Sequence, residues 1–260
     1  MRILSKITAA LTKHSNQILA VLLSFTVLGY SMIIAKSEIS EPTFSKEKRL
    51  LPIYRVNRSD NLVGLSFDAA WGADKTEKIL DILKENDVKA TFFLVSFWAE
   101  KYPELVKRIA NEGHEIGTHS ATHPHFNKLS YEKSKEELVK SVETIEQIAG
   151  VKVRLFRPPF GEYDNKLISL CAELGLTAIQ WDVDSLDWKG ISASEINSRV
   201  TSKTKSGSII LCHNNADNIV EAAKRFIPAL KEKGFEITNI GNVILEGKFT
   251  IDSSGAQNPA

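Results

Sequence analysis

The sequence predicts an α/β protein with a parallel sheet, closed into a barrel or left as an open doubly wound sheet. Three observations carry this. Short apolar, β-rich runs alternate with longer stretches of helical periodicity, as βαβ units require. Glycines at Gly113 and Gly175 stop two of the helical stretches. The 260 residues, 43% hydrophobic and 25% charged, suit one sizeable globular core.

The elements follow in order. Strands are expected over 53–56 and 62–67, paired through the turn-rich NRSDN, because polar turn formers separate two apolar runs. Further strands are expected over 90–95, 114–118, 153–156, 176–181, 208–212 and 235–238. Between them, apolar spacing of three and four predicts helices over 76–85, 103–112, 131–149, 165–174, 193–205 and 219–233. This domain is expected over 51–247, with 248–260 as a flexible tail.

Ahead of the domain, residues 1–17 carry Arg2, Lys6 and Lys13 and no acid, and 18–35 carry no charge at all. An apolar run of that length predicts a retained transmembrane signal anchor. The positive-inside rule then leaves 1–17 in the cytoplasm, with 36–50 as linker and the domain outside at the cell membrane. Secretion after signal cleavage is the alternative.

The net charge of +1 gives no electrostatic reason to expect nucleic acid as a partner. Cys171 and Cys212 are too few for a disulfide framework or a cysteine-built zinc site. Buried free thiols are expected, and a pairing of the two stays open.

Reactive side chains follow the predicted strands. Asp68 follows 62–67, His119 and His123 follow 114–118, and Arg157 follows 153–156. Asp182, Asp184 and Asp187 follow 176–181, and His213 follows 208–212. In a βα barrel these strand ends share one face, so five strands ending this way point to an enzyme-like cleft. Two histidines four positions apart suit a divalent metal, zinc foremost. There is no G-x-S-x-G and no Gly-rich phosphate loop, so metal-assisted hydrolysis fits best.

These residues resemble the polysaccharide deacetylases with a NodB homology domain, the carbohydrate esterase 4 group. The likeness runs from about Leu62 to Leu245 through five motifs in order: SFDAAWG (66–72), HSATH (119–123), RPPFG (157–161), DSLDW (184–188) and LCH (211–213). Within that group the first motif and the N-terminal anchor resemble the PdaB-type sporulation deacetylases. The resemblance implies a distorted (β/α)7 barrel, preceded here by one N-terminal transmembrane helix. It also implies removal of N-acetyl groups from a cell-wall polysaccharide, peptidoglycan before chitin, with zinc as cofactor. Asp68 matches the general base, His213 the general acid, Asp187 the aspartate that tunes it and Arg157 the arginine that orients the base. His119 and His123 match the metal histidines. Trp188 matches the wall of the acetyl pocket, a backbone N–H near Phe160 an oxyanion donor, and Pro159 and Trp71 join the expected substrate-binding set.

One position departs from the pattern. Ala69 stands where the family places its third metal ligand, an aspartate, and a methyl group cannot coordinate. Metal is therefore expected to bind weakly, with Asp74 and His125 as replacement candidates. A catalytically weak glycan-binding or morphogenetic protein on the same barrel is the alternative reading. Elsewhere, His114 is expected to cap or pack, and Phe92, Phe93, Phe97 and Trp98 to be packing. The KSKEEL run (133–138) reads as a solvated helix face.

Overall fold

The computed structural model describes residues 2–9, 12–15, 17, 19, 24, 26 and 48–260. It divides into two units, Met1–Lys48 and Arg49–Ala260. Among the described residues no helix is long and apolar enough to cross a membrane. The helix Tyr131–Ala149 does have the length, 19 residues, but its lysines and glutamates forbid a hydrocarbon environment. This corrects the expected membrane-spanning anchor, and with it the single-pass membrane placement and the membrane as a partner. Residues 18, 20–23, 25 and 27–35 of that stretch lie outside the described residues, as do 36–47 of the expected linker.

The larger unit is built on parallel strands: β2 (Leu62–Ala69), β3 (Thr91–Leu94), β4 (Glu115–Thr118), β5 (Leu155–Phe156), β6 (Thr177–Ala178), β7 (Val183–Asp184), β8 (Ile209–His213) and β9 (Glu236–Thr238). Their order is β6-β5-β4-β3-β2-β8-β7, with β9 also on β2. The two ends of this order, β6 and β7, are successive in the chain. The five residue steps from Ala178 to Val183 span roughly 18 Å at most, so the sheet must curl back on itself. The result is a distorted barrel of parallel strands, left open between β6 and β7.

Helices cover its outside: α1 (Thr76–Glu85), α2 (Ser96–Lys101), α3 (Pro103–Asn111), α4 (Tyr131–Ala149), α5 (Asn165–Glu173), α6 (Ala193–Lys203), α7 (Ile219–Glu232) and the short α8 (Ile240–Val243). The sequence explains their starts. Ser130 caps α4 at the Lys133 N–H, Asp164 caps α5 at Leu167, and Ser192 forms a capping box with Glu195 on α6. The main core joins Leu65, Phe67 and Phe92 on strands to Ile79, Leu83, Phe226 and Leu230 on helices. Phe93 and Trp98 are buried too, so the aromatic cluster is packing. Cys171 and Cys212 are buried free thiols.

Two expectations about the edges need correcting. The predicted 53–56 and 62–67 hairpin does not form. β1 (Arg55–Val56) instead pairs with β11 (Ala256–Pro259), which also pairs with β10 (Phe249–Ile251) in a separate small sheet. The 248–260 segment is therefore anchored rather than a flexible tail. Ala256 and Gln257 are fully buried, and the Gln257 amide exchanges hydrogen bonds with the Leu245 backbone.

Candidate active site

Asp68 and His213 are register partners on the adjacent strands β2 and β8. Paired residues of neighbouring strands face the same side of a sheet, so both reach one cleft. That cleft, of about 620 Å³, is lined by Asp68, Trp71, His119, His123, Phe160, Asp184, Trp188 and His213 among others. Asp68, His213 and His119 each have a second partner that fixes the side chain.

Asp68 is held by Arg157, whose Nη1 donates to its Oδ1 at 2.7 Å and to Ser66 Oγ at 2.9 Å. Arg157 is fully buried, with Nη2 donating to the Gln180 carbonyl and the guanidinium 4.1 Å over the Phe93 ring. Burial alone would raise the Asp68 carboxyl. The Arg157 charge, with His119 and His213, outweighs it and holds the group below its ordinary range.

His213 Nδ1 donates to Asp187 Oδ1 at 2.7 Å, and its backbone N–H donates to Asp187 Oδ2 at the same distance. Burial would lower this imidazole, yet Asp187, then Asp68 and Asp184, raise it. Base and acid are thus pushed in opposite useful directions.

His119 Nδ1 donates to the Arg157 carbonyl at 2.6 Å, which leaves the Nε2 lone pair free, 3.7 Å from Asp68 Oδ2. The His119 and His123 rings meet edge to face at 4.8 Å. Burial lowers both, His123 to about 4, so both are neutral imidazoles. The buried His123 Nδ1 has no hydrogen-bond partner. Two neutral imidazoles side by side, one with a fixed tautomer, fit a divalent ion. Nothing supplies a third ligand beyond them. Ala69 is fully buried, and among the described residues no group of three or more His, Cys, Asp or Glu is arranged to hold a metal. Asp74 is exposed, and His125 pairs with Glu162 at 3.1 Å while stacking on Phe160.

The rim is aromatic. Trp71, Phe160 and Trp188 are 64%, 55% and 58% exposed, large values for such apolar side chains. Trp71 and Phe160 both set their rings edge-on to His123. Of the two buried prolines before Phe160, Pro158 lines the cleft and Pro159 is absent from the lining. Trp181, Asn214 and Asn215 line it as well, and sequence reading passed over them. Asn214 and Asn215 directly follow His213, a position that signals the cleft; Trp181 sits in an irregular link between two short strands. Asp182 bonds instead to Ser208 and the Ile209 N–H, a structural role. Four residues around the cleft, Ser120, His123, Phe160 and Leu186, have positive φ without being glycine. Such strain concentrates where a surrounding structure dictates side-chain placement.

Comparison with known proteins identifies the family. Residues 55–179 match the polysaccharide deacetylase family profile. A peptidoglycan-N-acetylglucosamine deacetylase of Bacillus cereus is 38% identical over 190 residues, covering 72% of this chain and 69% of that protein. A solved peptidoglycan N-acetylglucosamine deacetylase, in complex with a substituted N-hydroxybenzamide, matches with a TM-score of 0.72 at 36% identity, covering 74% of this chain and 92% of that one. A carbohydrate esterase family 4 pseudoenzyme from Bacillus anthracis matches at 0.73 and 33%, covering 80% and 73%. A mutant of it with restored enzymatic activity matches at 0.73 and 37%, covering 75% and 71%. The chain belongs to the polysaccharide deacetylase family, the NodB-type carbohydrate esterases of family 4.

Proposed function

We propose that this chain hydrolyses N-acetyl groups on a cell-wall glycan, peptidoglycan in the first place, releasing acetate and leaving a free amine on the sugar. The observation that carries the reading is the opposed pair on β2 and β8: Asp68 paired with Arg157, which favours its ionised form, and His213 paired with Asp187, which favours its protonated form. Asp68 Oδ1 is occupied by Arg157, so Oδ2 takes the proton of the attacking water as its oxygen adds to the acetyl carbonyl. His213 then delivers its Nε2 proton to the amide nitrogen as the C–N bond breaks, while Asp187 stabilises the imidazolium through Nδ1. His119 and His123 would hold a divalent ion, zinc by the chemistry of imidazole, and when bound it supplies positive charge beside the carbonyl oxygen. Trp188 walls the acetyl group, and Trp71 and Phe160 offer faces for sugar rings, with Pro158 beside them. Acetate release from N-acetylglucosamine oligomers and from muropeptides, with zinc or cobalt added, tests the reading.

A second reading has its own observation. The fully buried Ala69 methyl leaves two ligands, and family 4 includes pseudoenzymes similar to this chain. On that reading the cleft binds glycan without turning it over. Folded protein that binds the oligomers and releases no acetate with either metal would establish it over hydrolysis.

A further inference from the structure

The loop that presents both imidazoles, residues 119–123, is held from outside the cleft by α4. Glu137 Oε2 accepts the backbone N–H groups of Ala121 at 3.0 Å and Thr122 at 2.8 Å, and its Oε1 accepts the Thr122 hydroxyl at 2.7 Å. One helical turn further on, Ser141 Oγ meets Thr118 Oγ1 at 2.5 Å, and Thr118 Oγ1 also accepts the Ser120 N–H. The loop needs such support. Ser120 and His123 have φ of 75° and 58°, a region in which residues with a Cβ are disfavoured. Within the loop, the Ser120 hydroxyl accepts the His123 N–H at 2.9 Å. Ala121 and Thr122, the two residues Glu137 grips, lie between the left-handed ones.

We propose that Glu137 is a positioning residue. Its carboxylate dictates the left-handed path of the loop and thereby where the His123 ring stands relative to His119. This rests on the reading of His119 and His123 as the metal-holding pair. It also changes the meaning of the KSKEEL run: Lys133 and Glu136 face solvent and Lys135 pairs with Glu173, while Glu137 is half-buried and fully engaged with the loop. A glutamine at this position can still accept both N–H bonds through its carbonyl oxygen, and its amide can donate to the Thr122 oxygen. An alanine can do neither.

The test compares Glu137→Ala, Glu137→Gln and Glu146→Ala. Glu146 lies on the same helix and likewise accepts a backbone N–H, from Val153, and a Lys152 ion pair, but serves no cleft residue. Two readouts are taken with the unfolding midpoint: zinc affinity by chelator competition, and amide hydrogen exchange at Ala121, Thr122 and His123. Glu137→Ala should weaken zinc about tenfold or more and speed exchange at those amides selectively, while Glu137→Gln recovers most of both. Glu146→Ala should lower the unfolding midpoint without moving either readout. Parent-like zinc affinity and exchange in Glu137→Ala would overturn the proposal, as would an equal zinc loss in Glu146→Ala. If the parent binds no zinc yet Glu137→Ala still frees the loop amides, the metal reading fails and the positioning role stands.

Discussion

Asp68 and His213 face each other across neighbouring strands in direct register, yet each takes its charge from a different partner. Arg157, rising from the end of β5, favours the ionised carboxylate; Asp187, just after β7, favours the protonated imidazole. The flanking ions separate their roles before any substrate arrives.

Asp68→Asn should remove turnover by roughly 10²–10⁴-fold while leaving glycan binding near the parent value. Arg157→Leu should do more damage to the fold, because it strands a buried carboxylate; about 3–5 kcal/mol is the usual scale. Urea unfolding with acetate-release kinetics separates the two effects. Arg157→Lys keeps a charge but not the two-armed contact with Asp68, Ser66 and Gln180, and should lose rate with a smaller loss of stability.

The acid role proposed for His213 implies a pH dependence. His213 is raised above its ordinary value of about 6.5 by Asp187, Asp68 and Asp184 acting against its burial. The protonated form is the useful one, so kcat/KM should fall as pH rises through this elevated value. Asp187→Asn removes the first of the raising charges and should shift that basic limb to lower pH. The stability linked to this group runs the same way: complete below the unfolded value and lost as pH rises through the folded one. A basic limb unmoved in Asp187→Asn would assign it to another group.

How far the sequence reveals this molecule depends on how local the signal is. The 76–85 and 131–149 helices are legible to the residue because apolar spacing is a local feature, joined in the second by the Ser130 cap and the Gly150 stop. Asp68, His119, Arg157 and His213 are legible because each directly follows an apolar run. The partner of β1 is not, since Ala256–Pro259 is a short polar segment two hundred residues away whose pairing is purely tertiary. Glu137 is hidden for a related reason. On a helix surface a carboxylate facing water and one facing a loop N–H pair have the same sequence surroundings.

His114 predicts an acid-labile fold independent of the cleft. Its Nδ1 accepts the Ala90 N–H at 3.2 Å, while Nε2 is buried without a partner, 3.8 Å from Glu112. Burial, with the Lys89 charge, lowers this imidazole to about 4. The unfolded chain therefore takes up a proton that the fold refuses. The stability present above pH 6.5 should drain away between about 6.5 and 4, by roughly 3 kcal/mol from this group. His114→Leu should be less stable at neutral pH, because the Ala90 N–H loses its acceptor, and should show a flatter slope across that window in urea titrations.

Ala69 gives the sharpest test of the metal site. It is fully buried on β2 directly after Asp68, within the main apolar core, at the position where the family resemblance expects a third ligand. Ala69→Asp adds an oxygen donor and one negative charge there. Without metal, that carboxylate is buried near another, with Arg157 already committed to Asp68, so the variant should melt lower than the parent. With zinc the order should reverse, because three protein ligands close a set that two leave incomplete, and metal bound only by the folded state raises its stability. Thermal melts with zinc and with a chelator, paired with zinc affinities, read both halves of this. A parent that already binds zinc as tightly as Ala69→Asp would show that two imidazoles suffice here. A variant that binds no better and melts lower in both conditions would mean that position 69 does not look into the site.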